Sequence, residues 1–180
     1  MTEIIDKLIG SSISEELIVL IISALPIVEL RGSLPVAINL FHMPWYWAFF
    51  LALVGNLLPV PILLLFFDSL IKIISKIAIG ERLATLVLNH TRKRGSLIEK
   101  YERIGLILFV AIPLPVTGAW TGSIVAFLCG MRFDHAFLSI FCGLIIAGTI
   151  VTCLSLLGWI GAAIAGVILG VIAIFGFWKI

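Results

Sequence analysis

Three long apolar stretches decide what this chain can fold into. They are residues 45–67, 133–158 and 160–178, and all three are almost free of charged side chains. A helix needs about 20 apolar residues to cross the roughly 30 Å of bilayer hydrocarbon. Hydrophobic residues make up 62% of the 180-residue chain, against about half in soluble domains. The sequence therefore predicts an all-α integral membrane protein.

Two further apolar regions are interrupted by proline and glycine, around the sequences "IVELRGSLPV" and "PLPVTGAWTG". On either side of each interruption the apolar run is too short to cross a bilayer at 1.5 Å per residue. We predict two re-entrant hairpins, over residues 17–42 and 104–131. Non-helical backbone at mid-membrane depth persists only where protein or a water-filled cavity surrounds it.

An internal repeat relates the two halves of the chain. "MPWYWAFFLALVG" (43–55) and "MRFDHAFLSIFCG" (131–143) match at Met, Ala, Phe and Gly with a shift of 88 residues. Just upstream, "RGSL" (31–34) resembles "TGSI" (121–124) at nearly the same shift. The combination of a hairpin and a span therefore occurs twice.

A hairpin adds no crossing and a span adds one, so the second copy enters the membrane from the opposite face. This arrangement is an inverted repeat, the architecture in which secondary transporters place their binding sites at the repeat interface. The predicted parts are an N-terminal amphipathic segment (1–16), repeat one (17–67), a basic helical connector (68–103), repeat two (104–158) and a C-terminal span (160–178).

Lysine and arginine predict the orientation. The connector 68–103 holds eight of the 12 basic residues, whereas segment 1–16 holds only Lys7 among four acidic residues. By the positive-inside rule the connector is cytoplasmic and the N-terminus lies outside. Arg132 and Lys179 then also fall on the cytoplasmic side.

Glu29 and Arg31 are predicted to lie at the tip of the first hairpin, near the bilayer centre. An ionisable residue at that depth is costly, so the default hypothesis is functional. Ser33 is predicted as a helix N-cap and Pro35 as a first-turn residue. The returning half-helix would then direct its free N–H groups toward Arg31, which favours an anion.

In the second hairpin a half-helix is predicted to begin after Gly118 or Gly122, with threonine hydroxyls beside it. Trp120 lines a substrate path or packs in the core, and Asn56 faces a cavity or bonds between helices. The predicted substrate-binding residues are Arg31, Gly32, Ser33, Asn56, Thr117, Gly118, Trp120 and Thr121.

Glu29 is the predicted proton carrier. Burial disfavours the charged form of its carboxyl group and the neighbouring Arg31 favours it. The alternative is that the two residues neutralise each other and only fix the hairpin, although a buried ion pair is a poor source of stability.

No cofactor, metal site or enzymatic activity is predicted. The three cysteines lack metal-ligand spacing and are odd in number, and the sequence has no H-E-x-x-H motif. The basic run 90–95 is typical of a patch facing anionic lipid rather than nucleic acid. Ala162, Gly166 and Gly170 form a stripe of small residues that favours close helix packing, inside the chain or in a homo-oligomer.

The chain resembles the small multidrug export protein family and, through its re-entrant pattern, the DedA superfamily. The resemblance rests on E-x-R-G-S-x-P (29–35), on the pair Gly55-Asn56 and on P-x-P-x-T-G-A-W-x-G (113–122). It implies a protein of the bacterial or archaeal cytoplasmic membrane. The wider superfamily implies translocation of lipid phosphates driven by ion gradients, although the second hairpin here lacks the arginine of the usual DedA layout.

The leading hypothesis is a secondary transporter or flippase for an amphipathic anion such as a polyprenyl phosphate, with proton coupling. Membrane lipids and that anion are its expected partners. One alternative is an exporter of lipophilic cationic drugs that uses Glu29. Another is a protein that organises the membrane without transporting anything.

Overall fold

The computed structural model describes residues 14–74, 96–113, 117–158, 160, 161 and 163, and all regular structure in these residues is helical. The elements are α1 (Glu15–Ala24), α2 (Glu29–Pro35), a π-helical turn (Val36–Leu40), α3 (Trp45–Leu57), α4 (Pro59–Ile74), α5 (Ser96–Ala111), α6 (Ala119–Leu128) and α7 (Phe133–Leu156).

Two helical stretches have the length and composition needed to cross a membrane. They are Trp45–Phe66 and Phe133–Leu156, close to two of the three predicted spans. The first is interrupted at Leu58, where α3 ends and Pro59 begins α4. Among the described residues all regular structure is helical, as predicted, and two candidate membrane-spanning helices lie at two of the predicted positions.

Several predicted features lie outside the described residues. They include most of segment 1–16, the middle of the connector 68–103, and nearly all of the span 160–178. The stripe Ala162, Gly166 and Gly170 lies there too. The turn that precedes the third predicted span is described, and Gly158 adopts a φ of +57° in it.

The chain divides into two compact units, one built from the residues up to Gly55 and those from Gly148 onward, the other from Asn56–Ala147. In the first unit α2 packs against α1. Its core contains Ile18 and Leu34, both buried. Gly55 on α3 lies so close to α1 that a Cβ would overlap the Leu20 carbonyl oxygen.

In the second unit α6 packs against α4 and α5. Leu106, Val110 and Ile140 are buried there. Gly143 on α7 lies against α5, where an added Cβ would come within 2.9 Å of the Ile107 carbonyl oxygen and 2.7 Å of the Val110 Cβ. Close approach of these two helices therefore requires a residue without a side chain.

The local structure follows the 88-residue sequence repeat. His42 and Gly130 both have positive φ, +52° and +62°, and each precedes a methionine. The Met43 N–H donates to the Ala37 carbonyl (2.9 Å), and the Met131 N–H donates to the Ala126 carbonyl (3.0 Å). Both alanines are fully buried. The π-helical turn after α2 and helix α6 therefore end in a similar way.

The span that follows buries the same face in each copy. At three pairs of positions related by the shift of 88, both residues either are buried or are glycines with no room for a Cβ. The pairs are Ala48 with Ala136, Ala52 with Ile140, and Gly55 with Gly143.

The π-helical turn Val36–Leu40 accounts for one of the two residues by which the shift changes, from 90 at Gly32 and Gly122 to 88 at Met43 and Met131. The Met43 bond reaches back six residues and the Met131 bond five, so the first copy accommodates one more residue before its turn. A π-helical turn is the usual way to absorb such an insertion, and it occurs often near functional sites.

Candidate functional site

Glu29 is a buried acid at the start of α2. Its side chain is only 8% exposed, and its backbone adopts a φ of +50°. A non-glycine residue is rarely found in this left-handed region. Strained backbone of this kind is concentrated at functional sites, where the surrounding structure compensates for it.

The tight entry into α2 depends on Gly32. A Cβ at this position would overlap the Val28 side chain, which covers the first turn of the helix. The Gly32 N–H donates to the Val28 carbonyl (3.1 Å), and the Glu29 N–H donates to the Leu25 carbonyl (3.1 Å). Gly32 therefore leaves room for the side chain of Val28, the residue that precedes α2.

Arg31 faces Glu29 across this turn. Its Nη2 lies 3.9 Å from the Glu29 Oε2, and its side chain is 19% exposed. This contact is longer than the 2.7–2.9 Å typical of a charge-assisted hydrogen bond, so it is an electrostatic contact between the two groups. The arginine is also the more exposed member of the pair.

The prediction that Ser33 caps the returning half-helix is wrong. The helix begins at Glu29, Val28 occupies the N-cap position, and Ser33 and Pro35 lie inside α2. Pro35 is the last residue of α2, and the π-helical turn follows it directly. Helix α2 therefore begins five residues earlier than predicted, and Glu29 occupies its first turn.

Ser33 is instead a buried polar group one helical turn after Glu29. Its Oγ makes no hydrogen bond within the described part of the chain. Ser123, the matching residue of the second copy, donates to the Ala119 carbonyl at 2.7 Å. An unpaired buried hydroxyl carries a desolvation cost, so the matching serines differ: Ser33 leaves its hydroxyl unpaired and Ser123 does not.

Four of the predicted residues lie at the start of α6. Gly118 directly precedes the helix, the first of the two starting positions that the sequence offered, and Trp120 is half-buried. The Thr117 hydroxyl donates to the Ile112 carbonyl at 2.7 Å, which closes the loop after α5. The Thr121 hydroxyl lies 3.5 Å from the Gly118 carbonyl oxygen.

Asn56 lies apart in sequence from both groups, one residue before α3 ends. It is fully buried. Neither its Oδ1 nor its Nδ2 has a hydrogen-bond partner among the described residues. The hydrogen-bonding capacity of this buried amide is therefore unused within the described residues.

Sequence reasoning missed Thr152 on α7. This residue is buried, and its Oγ1 makes no hydrogen bond within the described ranges, whereas the nearby Ser155 donates to the Val151 carbonyl at 2.8 Å. The signal was present in the sequence, because Thr152 and Ser155 fall three residues apart on one face of a largely apolar span.

The structure thus gathers Glu29, Arg31, Gly32 and Ser33 on one short helix of a membrane protein. The model of one family, described as "Putative small multi-drug export protein", matches residues 29–150, which is 122 of the 180 residues. The chain belongs to this family. No curated protein and no solved structure matches it.

Proposed function

We propose that this protein is a secondary transporter for an amphipathic anion, with a lipid phosphate such as a polyprenyl phosphate as substrate and protons as the coupling ion. The observation that carries this proposal is the Glu29–Arg31 pair at the start of α2, with the acid buried and the arginine partly open. The family description, which concerns export, supports transport in general.

Arg31 is the proposed anion ligand. A guanidinium has five N–H donors, and a single carboxylate accepts two of them in the usual bidentate arrangement. Arg31 can therefore contact Glu29 and still bind a phosphate. Its 19% exposure leaves a side from which that phosphate can approach. The hydroxyl of Ser33, two residues further along α2, is a second proposed donor.

Glu29 is the proposed proton carrier, and its coupling to the substrate follows from electrostatics. The positive charge of Arg31 favours the ionised carboxylate. A phosphate bound to Arg31 offsets that charge, so Glu29 then binds a proton more tightly than it does without the phosphate. Binding free energies are reciprocal, so a proton on Glu29 strengthens anion binding to the same extent. This mechanism couples one anion to one proton moving in the same direction.

The second copy of the repeat is proposed to contribute to substrate passage through Thr117, Gly118, Trp120 and Thr121. We further propose that the two copies are inverted re-entrant hairpins, in the cytoplasmic membrane of a bacterium or archaeon with segment 68–103 inside. The matching ends of the half-helices at His42 and Gly130 support the repeat.

Export of lipophilic cations is the second candidate function. The family description names multi-drug export, and a buried carboxylate is the natural ligand for such a cation. In this mechanism Glu29 exchanges a proton for the drug. Arg31 opposes it, because a positive neighbour repels the cargo.

Translocation of a short-chain polyprenyl phosphate into proteoliposomes distinguishes the two functions. We expect wild type to move the lipid faster under a pH gradient, Arg31→Gln to fail, and Glu29→Gln to lose only the response to pH. Arg132→Gln is the matched control, since Arg132 forms an exposed pair with Asp134 (3.6 Å). Movement of a lipophilic cation that needs Glu29 but not Arg31 would contradict the proposal and favour drug export.

A further inference from the structure

Two features meet where α3 ends and α4 begins. A buried side chain there lacks hydrogen-bond partners, and the helical pattern of backbone hydrogen bonds is interrupted. This break lies at Leu58, close to the centre of the spanning stretch Trp45–Phe66. Asn56, two residues earlier, is fully buried, and both polar atoms of its side chain lack a hydrogen-bond partner in the described residues. Such a group costs about 1–3 kcal/mol unless something binds it.

Proline makes the break rich in hydrogen-bond acceptors. In an α-helix each carbonyl accepts from the N–H four residues later, and residue 61 is proline. The Leu57 carbonyl therefore has no α-helical donor. It lies at the C-terminal end of α3, which carries the negative end of the helix dipole.

The same prolines weaken the opposite possibility, an anion at the start of α4. Anions bind helix N-termini through the free N–H groups of the first turn. Pro59 and Pro61 remove two of those groups, because proline has no backbone N–H. The break therefore presents more oxygen acceptors than donors, which favours a cation.

We propose that Asn56 and the Leu57 carbonyl bind a monovalent metal cation, Na⁺, at this helix break. Both ligands are neutral oxygens, and discontinuous membrane helices use unwound carbonyls and helix C-termini to coordinate such ions. The Asn56 Oδ1 contacts the ion, and its Nδ2 donates to a water of the ion's shell. A role for the ion in driving transport would rest on the proposed function. The binding of Na⁺ at this position does not.

The test measures Na⁺ binding without any substrate, so it stays independent of transport. Wild-type protein in detergent is titrated with NaCl against choline chloride at constant ionic strength, with ²²Na⁺ binding as the direct readout. A ligand that binds only the folded protein raises its thermal midpoint once its concentration exceeds Kd. We expect a saturable rise for wild type and for Asn39→Leu, which changes an exposed asparagine.

Asn56→Leu should abolish the Na⁺-dependent rise while leaving the Na⁺-free midpoint equal or higher, because an apolar side chain replaces an unsatisfied amide. Pro61→Ala restores the N–H donor for Leu57 and should weaken Na⁺ binding by about tenfold, equivalent to about 1.4 kcal/mol. It also serves as the test if Asn56→Leu does not fold. The proposal is overturned if wild type responds equally to Na⁺ and choline, or if both variants bind Na⁺ as wild type does.

Discussion

At the scale of single residues, Glu29 combines two unfavourable features. Its carboxyl group is buried, and its backbone is held at a φ of +50°. The left-handed conformation costs about 1–2 kcal/mol for a residue with a Cβ, and a buried charge costs more unless it is compensated. The nearby Arg31 offsets part of the second cost. Both features are consistent with the proposed role of the carboxylate as proton carrier.

The backbone cost can be measured separately from the charge. Glu29→Gly and Glu29→Ala both remove the carboxylate, but only glycine adopts the left-handed conformation without strain. We expect Glu29→Gly to be the more stable of the two by about 1 kcal/mol. Reversible unfolding in mixed micelles gives the difference, and equal stabilities would mean that position 29 is not strained.

Ser33 shows where residue-level sequence reasoning failed. A serine two residues before a proline is typical of a helix start, and the structure instead places both inside α2. The Val28 side chain lies against Gly32 one turn later, and the helix begins between them at Glu29. Capping preferences carry no information about that packing.

At the scale of helices, two repeat-related glycines set how closely α3 and α7 approach their neighbours. Gly55 faces the Leu20 carbonyl on α1, and Gly143 faces the Ile107 carbonyl on α5. In both cases a Cβ would meet a backbone carbonyl, which cannot rotate away as a side chain could. The sequence aligned these two glycines, but it gave no indication that both serve helix packing.

Alanine substitution tests this role, and Gly105 provides the control. Gly55→Ala and Gly143→Ala should each lower the free energy of unfolding by about 1–3 kcal/mol, the range for overpacking. Gly105 lies on α5 with open space around it, so Gly105→Ala should instead stabilise by about 0.5–1 kcal/mol through helix propensity. A loss of stability at Gly105 equal to that at the other two would contradict the packing argument.

The positions of the helices were largely predictable, because long apolar runs and Pro-Gly interruptions are local signals. The starts of α3 and α7 fall at Trp45 and Phe133, at or next to the predicted limits. The interruption at Leu58 was not predicted, although Pro59 and Pro61 were visible. The interruption lies inside a continuous apolar run, and hydrophobicity alone does not show where a backbone hydrogen bond is lost.

At the scale of the whole molecule, the two copies of the proposed repeat differ in charge at the segment that holds the candidate site. Glu29 and Arg31 belong to the first unit, and the matching segment of the second copy, around Thr121 and Ser123, is neutral. The candidate residues of the first copy were predictable because charge inside an apolar chain is conspicuous. The different states of Ser33 and Ser123 were not predictable, since they depend on the hydrogen bond that each hydroxyl makes.

The central claim is that Glu29 couples an anion bound at Arg31 to a proton, and its most direct test is proton movement driven by the substrate alone. Proteoliposomes with a pH-sensitive dye inside and equal pH on both sides receive a polyprenyl phosphate in the outer leaflet. We predict acidification of the interior for wild type and Arg132→Gln, and none for Glu29→Gln or Arg31→Gln. Lipid translocation by wild type without any change in internal pH would contradict the claim.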